Sequence, residues 1–198
     1  MKVSDGADRA SAHHPRGKGR GRARSVVVAI RDDNVGTKRG LPPVIARDAR
    51  VLILGSFPGE ASLAARQYYA HPRNHFWPLL GAVLDAPLPT LAYRERLATL
   101  RRHRIALWDT IVSCVREGSL DGSIRNAERG EVARMHRAAP DLQLVCFNGK
   151  TSARAEPVWR EAGYATLVLP STSPAYTRPF SEKLAAWRTI GDFLSGHG

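Results

Sequence analysis

The chain has 198 residues, enough for one folded domain with a sound core, and its basic side chains outnumber the acidic ones to give a net charge of +12 at pH 7. This balance favours a polyanionic partner such as nucleic acid. No apolar run approaches the roughly 18 residues of a membrane-spanning helix, and two cysteines, Cys114 and Cys146, are too few for a disulfide framework or an iron–sulfur cluster, so we expect them to be reduced core residues.

The first 24 residues differ in composition from the rest. They carry seven basic and two acidic residues, almost no large apolar side chain and no apolar core of a secretory signal, so we expect a cytoplasmic protein. Too little apolar surface can be buried here to offset the entropy of ordering. We therefore predict a disordered basic tail over residues 1–24 and a single domain over residues 25–198. The tail is either an arm that slides along a phosphate backbone or an incidental extension.

Strands and helices are predicted to alternate along the folded part. Four short apolar runs predict strands, and the segments between and after them predict helices. The strands are Val51–Leu54, Ile105–Trp108, Leu142–Phe147 and Ala165–Leu169. The helices are Asn74–Leu84, Leu91–Arg102, Asn126–Ala138, Thr151–Ala162 and Glu182–Leu194. This order predicts an α/β fold: a three-layer α/β/α sandwich around a short, mainly parallel, four-stranded central sheet.

Each predicted strand ends in polar or turn-forming residues. The four clusters are GSFPG (Gly55–Gly59), WDT (Trp108–Thr110), FNGKTS (Phe147–Ser152) and LPSTSPAYT (Leu169–Thr177). Because the carboxyl ends of parallel strands share one edge of a sheet, these clusters should meet and form a ligand site. A fifth block, QYYAHPRNHFW (Gln67–Trp77), places flat rings beside amides and cations. That combination suits a planar heteroaromatic ligand that is stacked upon and read at its edge.

The ordered motifs resemble the uracil-DNA glycosylase superfamily, and most closely its hypoxanthine (deoxyinosine) DNA glycosylase branch. The first family motif is matched by GSFPG and the second by LPSTSPAYT. The deoxyinosine branch is matched by QYYAHPRNHFW and by WDTIVSCVREGSLDGSI. The segments PRNHFW and FNGK resemble those of mismatch-specific thymine/uracil glycosylases. The resemblance runs from about Gly40 to Trp187.

The resemblance implies a repair enzyme for deaminated DNA. It would be a monofunctional glycosylase, without a cofactor, that hydrolyses the N-glycosidic bond of a flipped hypoxanthine in double- or single-stranded DNA. A nucleoid-associated monomer is expected. Two alternatives stay open: a uracil or mismatched-thymine glycosylase of the same fold, and a non-catalytic module that reads bases.

One position departs from the family pattern. The third residue of the first motif, an asparagine in mismatch glycosylases and an aspartate in other uracil glycosylases, is Phe57, which can neither donate nor accept a hydrogen bond. The resemblance to the deoxyinosine branch implies Asn74 as the catalytic residue instead. An amide is no general base, but cleavage builds oxocarbenium character in the sugar, so positioning and electrostatics can carry much of the rate. Asp109 is either an auxiliary catalyst or the N-cap of a following helix.

The base pocket is expected to involve Gly55, Ser56, Phe57, Tyr69 and Asn148. Phe57 and Tyr69 could stack on the base, although core packing is the alternative for Phe57. Asn148 could pair with the six-oxo, N1–H edge of hypoxanthine, although a turn asparagine before a glycine is the alternative.

The phosphate backbone is expected to contact the second-motif loop and its neighbours. The candidates are Arg73, His71, Ser171, Thr172, Ser173 and Pro174, with Ala175 and Tyr176 entering the space left by the flipped nucleotide. We expect a structural role for His75. A metal site built from His71, His75 and Asp109 is not favoured, because the two histidines lie on an irregular Pro-containing segment and no further His or Cys stands at ligand spacing.

Deletion of residues 1–24 tests the tail. It removes a net charge of +5, so binding to undamaged DNA should weaken and its salt dependence should flatten, whereas turnover at saturating DNA should hardly change. Binding isotherms over a salt series give the slope, and an unchanged slope would show that the tail does not touch DNA.

Overall fold

The computed structural model describes residues 36–115, 120–121, 125–129 and 132–196, and the predicted tail lies outside these residues. The described strands are β1 (Thr37–Arg39), β2 (Val51–Gly55), β3 (Ile105–Asp109), β4 (Ile111–Val115), β5 (Arg125–Arg129), β6 (Leu144–Asn148) and β7 (Ala165–Leu169). The described helices are α1 (Glu60–Ala65), α2 (Phe76–Leu84), α3 (Tyr93–Arg102), α4 (Val132–Ala138), α5 (Glu156–Glu161) and α6 (Phe180–Ser195), with a 3₁₀ turn over Ser152–Ala155.

The central sheet confirms the predicted α/β fold. Its four strands are parallel and lie in the order β3-β2-β6-β7. All five residues of β2 are buried, as expected for a parallel strand with helices on both faces. Gly55 lies opposite Asp109 in the register of β2 and β3, so the last residues of these strands are neighbours at the carboxyl edge.

Two large apolar clusters pack against the central sheet, one on each face, and a third, small cluster contains Phe57, Ile111 and Cys114. Ile53 faces a cluster that includes Trp187 of α6, whereas Leu52 faces a cluster that includes Trp159 of α5. Alternate residues of one strand therefore pack into opposite clusters, as the two-residue period of a strand requires. Both cysteines of the chain are buried and neither forms a disulfide, which confirms their prediction as core residues.

A second sheet was not predicted. Strands β1, β4 and β5 form an antiparallel sheet in that order. Because β4 begins at Ile111, immediately beyond the end of β3, no helix follows Asp109, and the N-cap alternative for Asp109 is wrong. The β-branched residues of Ile111–Val115 favour a strand, but partners for it come from distant parts of the chain.

Several predicted boundaries change in the structure. The helix predicted over Asn126–Ala138 is wrong in its first part, since residues 125–129 pair with β4 and the helix covers only Val132–Ala138. Helix α2 begins at Phe76 because the side chain of Asn74 accepts a hydrogen bond from the Phe76 N–H at 3.0 Å and forms a turn ahead of the helix. None of the described helices combines the length and apolar character needed to cross a membrane.

Candidate active site

A cavity of about 430 Å³ opens at the carboxyl edge of the central sheet. All four strand-end clusters reach it, as expected from parallel strands. The predicted site residues that line it are Gly55, Ser56, Phe57, Tyr69, His71, Asn74, Asp109, Asn148, Ser171, Thr172, Ser173, Pro174, Ala175 and Tyr176. Arg73 is exposed and does not line the cavity.

The floor of the cavity depends on the absence of a side chain at Gly55. A Cβ atom there would lie 2.3 Å from Asp109 Oδ1 and 3.0 Å from Tyr69 Oη. Asp109 is only 4 % exposed, so its carboxyl group is held at the edge of the sheet against the glycine backbone. Burial, reinforced by the Asp109 charge, raises the pKa of Tyr69 far above its ordinary value, so the Tyr69 hydroxyl keeps its proton.

The ring of Tyr69 is fixed at both ends. Its backbone has φ 54°, a left-handed conformation that is uncommon for a bulky residue. The ring stacks on Phe76 with centroids 3.8 Å apart and planes 14° apart. At the far end, Tyr69 Oη accepts a hydrogen bond from Asn148 Nδ2 at 3.1 Å. A ring held in this way gives the cavity a rigid aromatic wall.

The Asn148 amide has one orientation, set by the backbone. Its Oδ1 accepts from the Thr172 N–H at 2.9 Å, and an N–H group can only donate. The Nδ2 group donates to Thr172 Oγ1 at 2.9 Å and to Tyr69 Oη at 3.1 Å. Both Nδ2 protons are therefore engaged within the protein, and Oδ1 retains one lone pair.

The Asn74 amide is oriented by the same principle. Its Oδ1 accepts from the Phe76 N–H at 3.0 Å, and its own backbone N–H donates to His71 O at 2.9 Å. No described residue accepts a hydrogen bond from Asn74 Nδ2. The next residue links this segment to the second-motif loop, because the His75 N–H donates to Thr172 O at 3.0 Å. Asn74 therefore presents its Nδ2 group and one lone pair of Oδ1 for other partners.

His75 lies close to the site without lining the cavity. Its Nδ1 is buried and has no hydrogen-bond partner among the described residues. Burial, reinforced by the Lys183 charge, lowers the pKa of His75. The imidazole is consequently neutral around pH 7.

Phe57 occupies a small core cluster and still borders the cavity. It is buried with Ile111 and Cys114, so the core-packing alternative describes its surroundings. Stacking of Phe57 on a ligand stays a prediction. Thr172 is also buried, and its N–H and Oγ1 are joined to Asn148.

Sequence reasoning assigned no role to several residues that line the cavity, among them Leu120 and Asp121. Asp121 Oδ1 accepts from Ser56 Oγ at 2.7 Å and lines the cavity, and the neighbouring Leu120, 66 % exposed, lines it as well. Both belong to the SLDGS segment, whose resemblance to the deoxyinosine branch was noted without a role for either residue. A carboxylate within a family motif is the signal that could have identified Asp121.

Substitution of Gly55 tests the packing of the floor. Gly55→Ala should lower the free energy of unfolding by roughly 1–3 kcal/mol, because the new methyl group overlaps the Asp109 carboxyl group. In an Asp109→Ala background the cost should fall, since the closest atom is gone. Urea unfolding of the two single variants and the double variant gives the coupling energy, and purely additive costs would contradict this packing.

Comparison with known proteins identifies the family. Residues 42–191 match the model of the uracil DNA glycosylase superfamily. A hypoxanthine DNA glycosylase from Methanosarcina barkeri is 42 % identical over 150 residues, covering 76 % of this chain and 95 % of the relative. A hypoxanthine DNA glycosylase from Methanosarcina acetivorans is 39 % identical over 153 residues, covering 77 % and 97 %.

A solved structure shares the fold. The solution NMR structure of a candidate uracil DNA glycosylase from Methanosarcina acetivorans is 38 % identical, with a TM-score of 0.74, and covers 80 % of this chain and 99 % of that one. The family match spans the central sheet and every described segment that lines the cavity. The chain therefore belongs to the uracil DNA glycosylase superfamily, as its motifs predicted.

Proposed function

We propose that the protein is a hypoxanthine DNA glycosylase, which hydrolyses the N-glycosidic bond of a flipped deoxyinosine and leaves an abasic site for base excision repair. The observation that carries this proposal is the placement of Asn74 and Asn148, two amides oriented by backbone N–H groups, on one cavity beside the Tyr69 ring. The hypoxanthine glycosylases that resemble this chain over three quarters of its length support the choice of base.

We propose that Asn74 positions the attacking water and the sugar or phosphate of the substrate. The remaining lone pair of Oδ1 can accept from the attacking water, and Nδ2 can donate to the sugar or to phosphate. Asp109, buried at the end of β3, is the proposed auxiliary group, because a negative charge favours the oxocarbenium character that develops in the sugar. The apolar Phe57 stands where mismatch and other uracil glycosylases carry a water-binding side chain. We therefore assign that role to Asn74, which lies on a different segment.

Contacts to the DNA backbone are proposed for the loop after β7 and for Arg73. Within the loop, Ser171 Oγ accepts from the Ser173 N–H at 3.2 Å, and Ser173 Oγ accepts from the Ala175 N–H at 3.3 Å. Each serine thus uses its oxygen to shape the loop and keeps its hydroxyl proton for a phosphate oxygen. Arg73 is exposed and directly precedes Asn74, which lines the cavity.

The setting of the reaction follows from the substrate. The proposed partner is double- or single-stranded DNA with deaminated bases. We propose that the protein acts on it as a monomer in the cytoplasm, in association with the nucleoid. The chemistry proposed for Asn74 and Asp109 requires no cofactor. The basic surplus of the chain, +12, is suited to the charge of DNA.

Base release by Asn74 variants tests the catalytic assignment. Asn74→Ala should cut single-turnover release of hypoxanthine at least about 100-fold and leave DNA binding largely intact, because one pre-organised polar group is lost. The rate–pH profile of the unsubstituted protein should have no steep limb near neutrality, since an amide does not titrate and His75, its pKa lowered, is already neutral there. Unimpaired release by Asn74→Ala would move the catalytic role to Asp109.

Asn148 is proposed to read the edge of the base. The free lone pair of Oδ1 can accept from N1–H of hypoxanthine, and Nδ2 can donate to the six-oxo group by exchanging its 3.1 Å bond to Tyr69. Adenine has an amino group and an unprotonated N1 at this edge, so an amide in the same orientation rejects it.

Substitution of Asn148 tests this reading. Asn148→Ala should cost about 1–3 kcal/mol of transition-state stabilisation on inosine substrates, because a polar edge of the base loses its partner. Thr172→Val is the matched control, since it removes one internal partner of Asn148 and leaves the amide in place. Inosine opposite thymine or in a single strand should react faster than inosine opposite cytosine, because flipping is easiest from weak pairs. Release of adenine as readily as hypoxanthine would contradict this account.

Uracil is a second candidate substrate. The solved structure of similar fold is that of a candidate uracil DNA glycosylase, and uracil presents the same carbonyl–imide order as hypoxanthine on a smaller ring. Poorer stacking should make its release slower. Matched oligonucleotides with inosine or uracil at one position rank the two bases, and failure to release either base would leave a non-catalytic module that reads bases.

A further inference from the structure

A buried lysine lies behind the second-motif loop. Lys183 of α6 is 1 % exposed, and it does not line the cavity. Its Nζ donates to the backbone carbonyl of Tyr176 at 2.6 Å and lies 5.2 Å from the centre of the Tyr176 ring. No described acidic residue forms an ion pair with it. Burial of an ammonium group without an acidic partner is costly. The hydrogen bond to the Tyr176 carbonyl offsets part of this cost.

The same face of α6 holds the loop at a second point. Trp187 lies four residues after Lys183, which places the two side chains on one side of the helix. Trp187 Nε1 donates to the carbonyl of Pro170 at 3.1 Å. Two donors one helical turn apart therefore bind the carbonyls at the two ends of the segment from Pro170 to Tyr176. The ring of Trp187 packs edge-on against Phe76, so this part of α6 is itself fixed in the core.

The middle of the loop is fixed from the other side. The Thr172 N–H is bound by Asn148, and the Thr172 carbonyl by the His75 N–H. Beyond Thr172 the chain turns outward to the exposed Ala175 and Tyr176. From outside the loop, Lys183 binds this outer part through the Tyr176 carbonyl, and Arg178 adds a ring contact, with its Cζ 5.9 Å from the centre of the Tyr176 ring.

We propose that Lys183 is a positioning residue that holds Ala175 and Tyr176 rigidly at the rim, ready to fill the gap that a flipped nucleotide leaves in duplex DNA. This inference rests on the proposed function. Extrusion of a base costs stacking and pairing energy, and a side chain that enters the vacated space offsets part of it. A segment that is already ordered loses less conformational entropy when it inserts.

Lys183 acts through Tyr176 and takes no part in bond cleavage. The ammonium group is shielded from solvent and bound to a carbonyl, which is unsuited to attack on a sugar carbon. The carbonyl bond fixes the backbone of Tyr176, and the ammonium group over its ring adds a cation–π attraction that fixes the ring. The charge of the lysine strengthens both contacts, since a charged donor binds a carbonyl more strongly than a neutral one.

Comparison of duplex and single-stranded substrates tests the proposal. Lys183→Met removes the donor and the charge at similar length. Single-turnover release of hypoxanthine from a duplex should fall roughly tenfold more than release from a single strand of the same sequence, because a single strand leaves no gap in a helix to be filled. Lys183→Gln keeps a neutral donor with shorter reach and should give an intermediate loss.

Arg50→Met is the matched control. Arg50 is a buried cation at the amino end of β2, far along the strand from the cavity, and it donates to Gln143 Oε1 at 3.2 Å. Its loss should lower stability and leave the ratio of duplex to single-strand rates unchanged.

The ratio of duplex to single-strand release rates distinguishes failure of this proposal from failure of the proposed function. A folded Lys183→Met with the ratio of the unsubstituted protein overturns the proposal, and Lys183→Gln decides in the same way if the Met variant does not fold. Absence of hypoxanthine release by the unsubstituted protein from both substrates would instead remove the proposed function.

Discussion

The hydrogen bonds of one amide hold the site together. Asn148 joins the end of β6 to Tyr69 and to the loop after β7, three segments that are widely separated along the chain. The Thr172 N–H fixes which end of the amide is the acceptor, and the other two bonds follow from that choice. In a buried setting such a network is strong only when each member is satisfied. The positions of the aromatic wall and of the loop both depend on it.

Backbone N–H groups orient both amides of the cavity. Asn74 is set by Phe76 and Asn148 by Thr172, so neither side chain relies on a mobile partner for its orientation. Electrostatic stabilisation of a transition state requires groups that do not reorganise during the reaction. An amide held by main chain meets this requirement, although it lacks the basicity of a carboxylate. Under the role proposed for Asn74, this accounts for cleavage of an N-glycosidic bond in a pocket with Phe57 in the first motif.

Helix α6 connects the core to the exposed end of the site. Its inner face packs on the sheet through Trp187, while Lys183, one turn earlier, binds the outer part of the loop. The side of the cavity that this loop forms is therefore supported by the longest helix of the described chain. Gly55 plays the corresponding part at the floor, because its missing side chain lets Asp109 and Tyr69 approach the strand end.

The sequence by itself determined the strands of the central sheet and the polar clusters after them, because apolar runs and turn residues are local signals. It also placed Asn148 and the second-motif loop at one edge, since parallel strands share their carboxyl ends, whereas Asn74 was assigned to the site through the family resemblance. The tertiary structure alone decided the pairing of β4 with β1 and β5, so that residues 126–129, expected at the start of a helix, belong to a strand. It alone brought Asp121 to Ser56 and Lys183 to the Tyr176 carbonyl. The physical reason is that strand partners and buried polar contacts are chosen by long-range packing, which no local pattern of residues encodes.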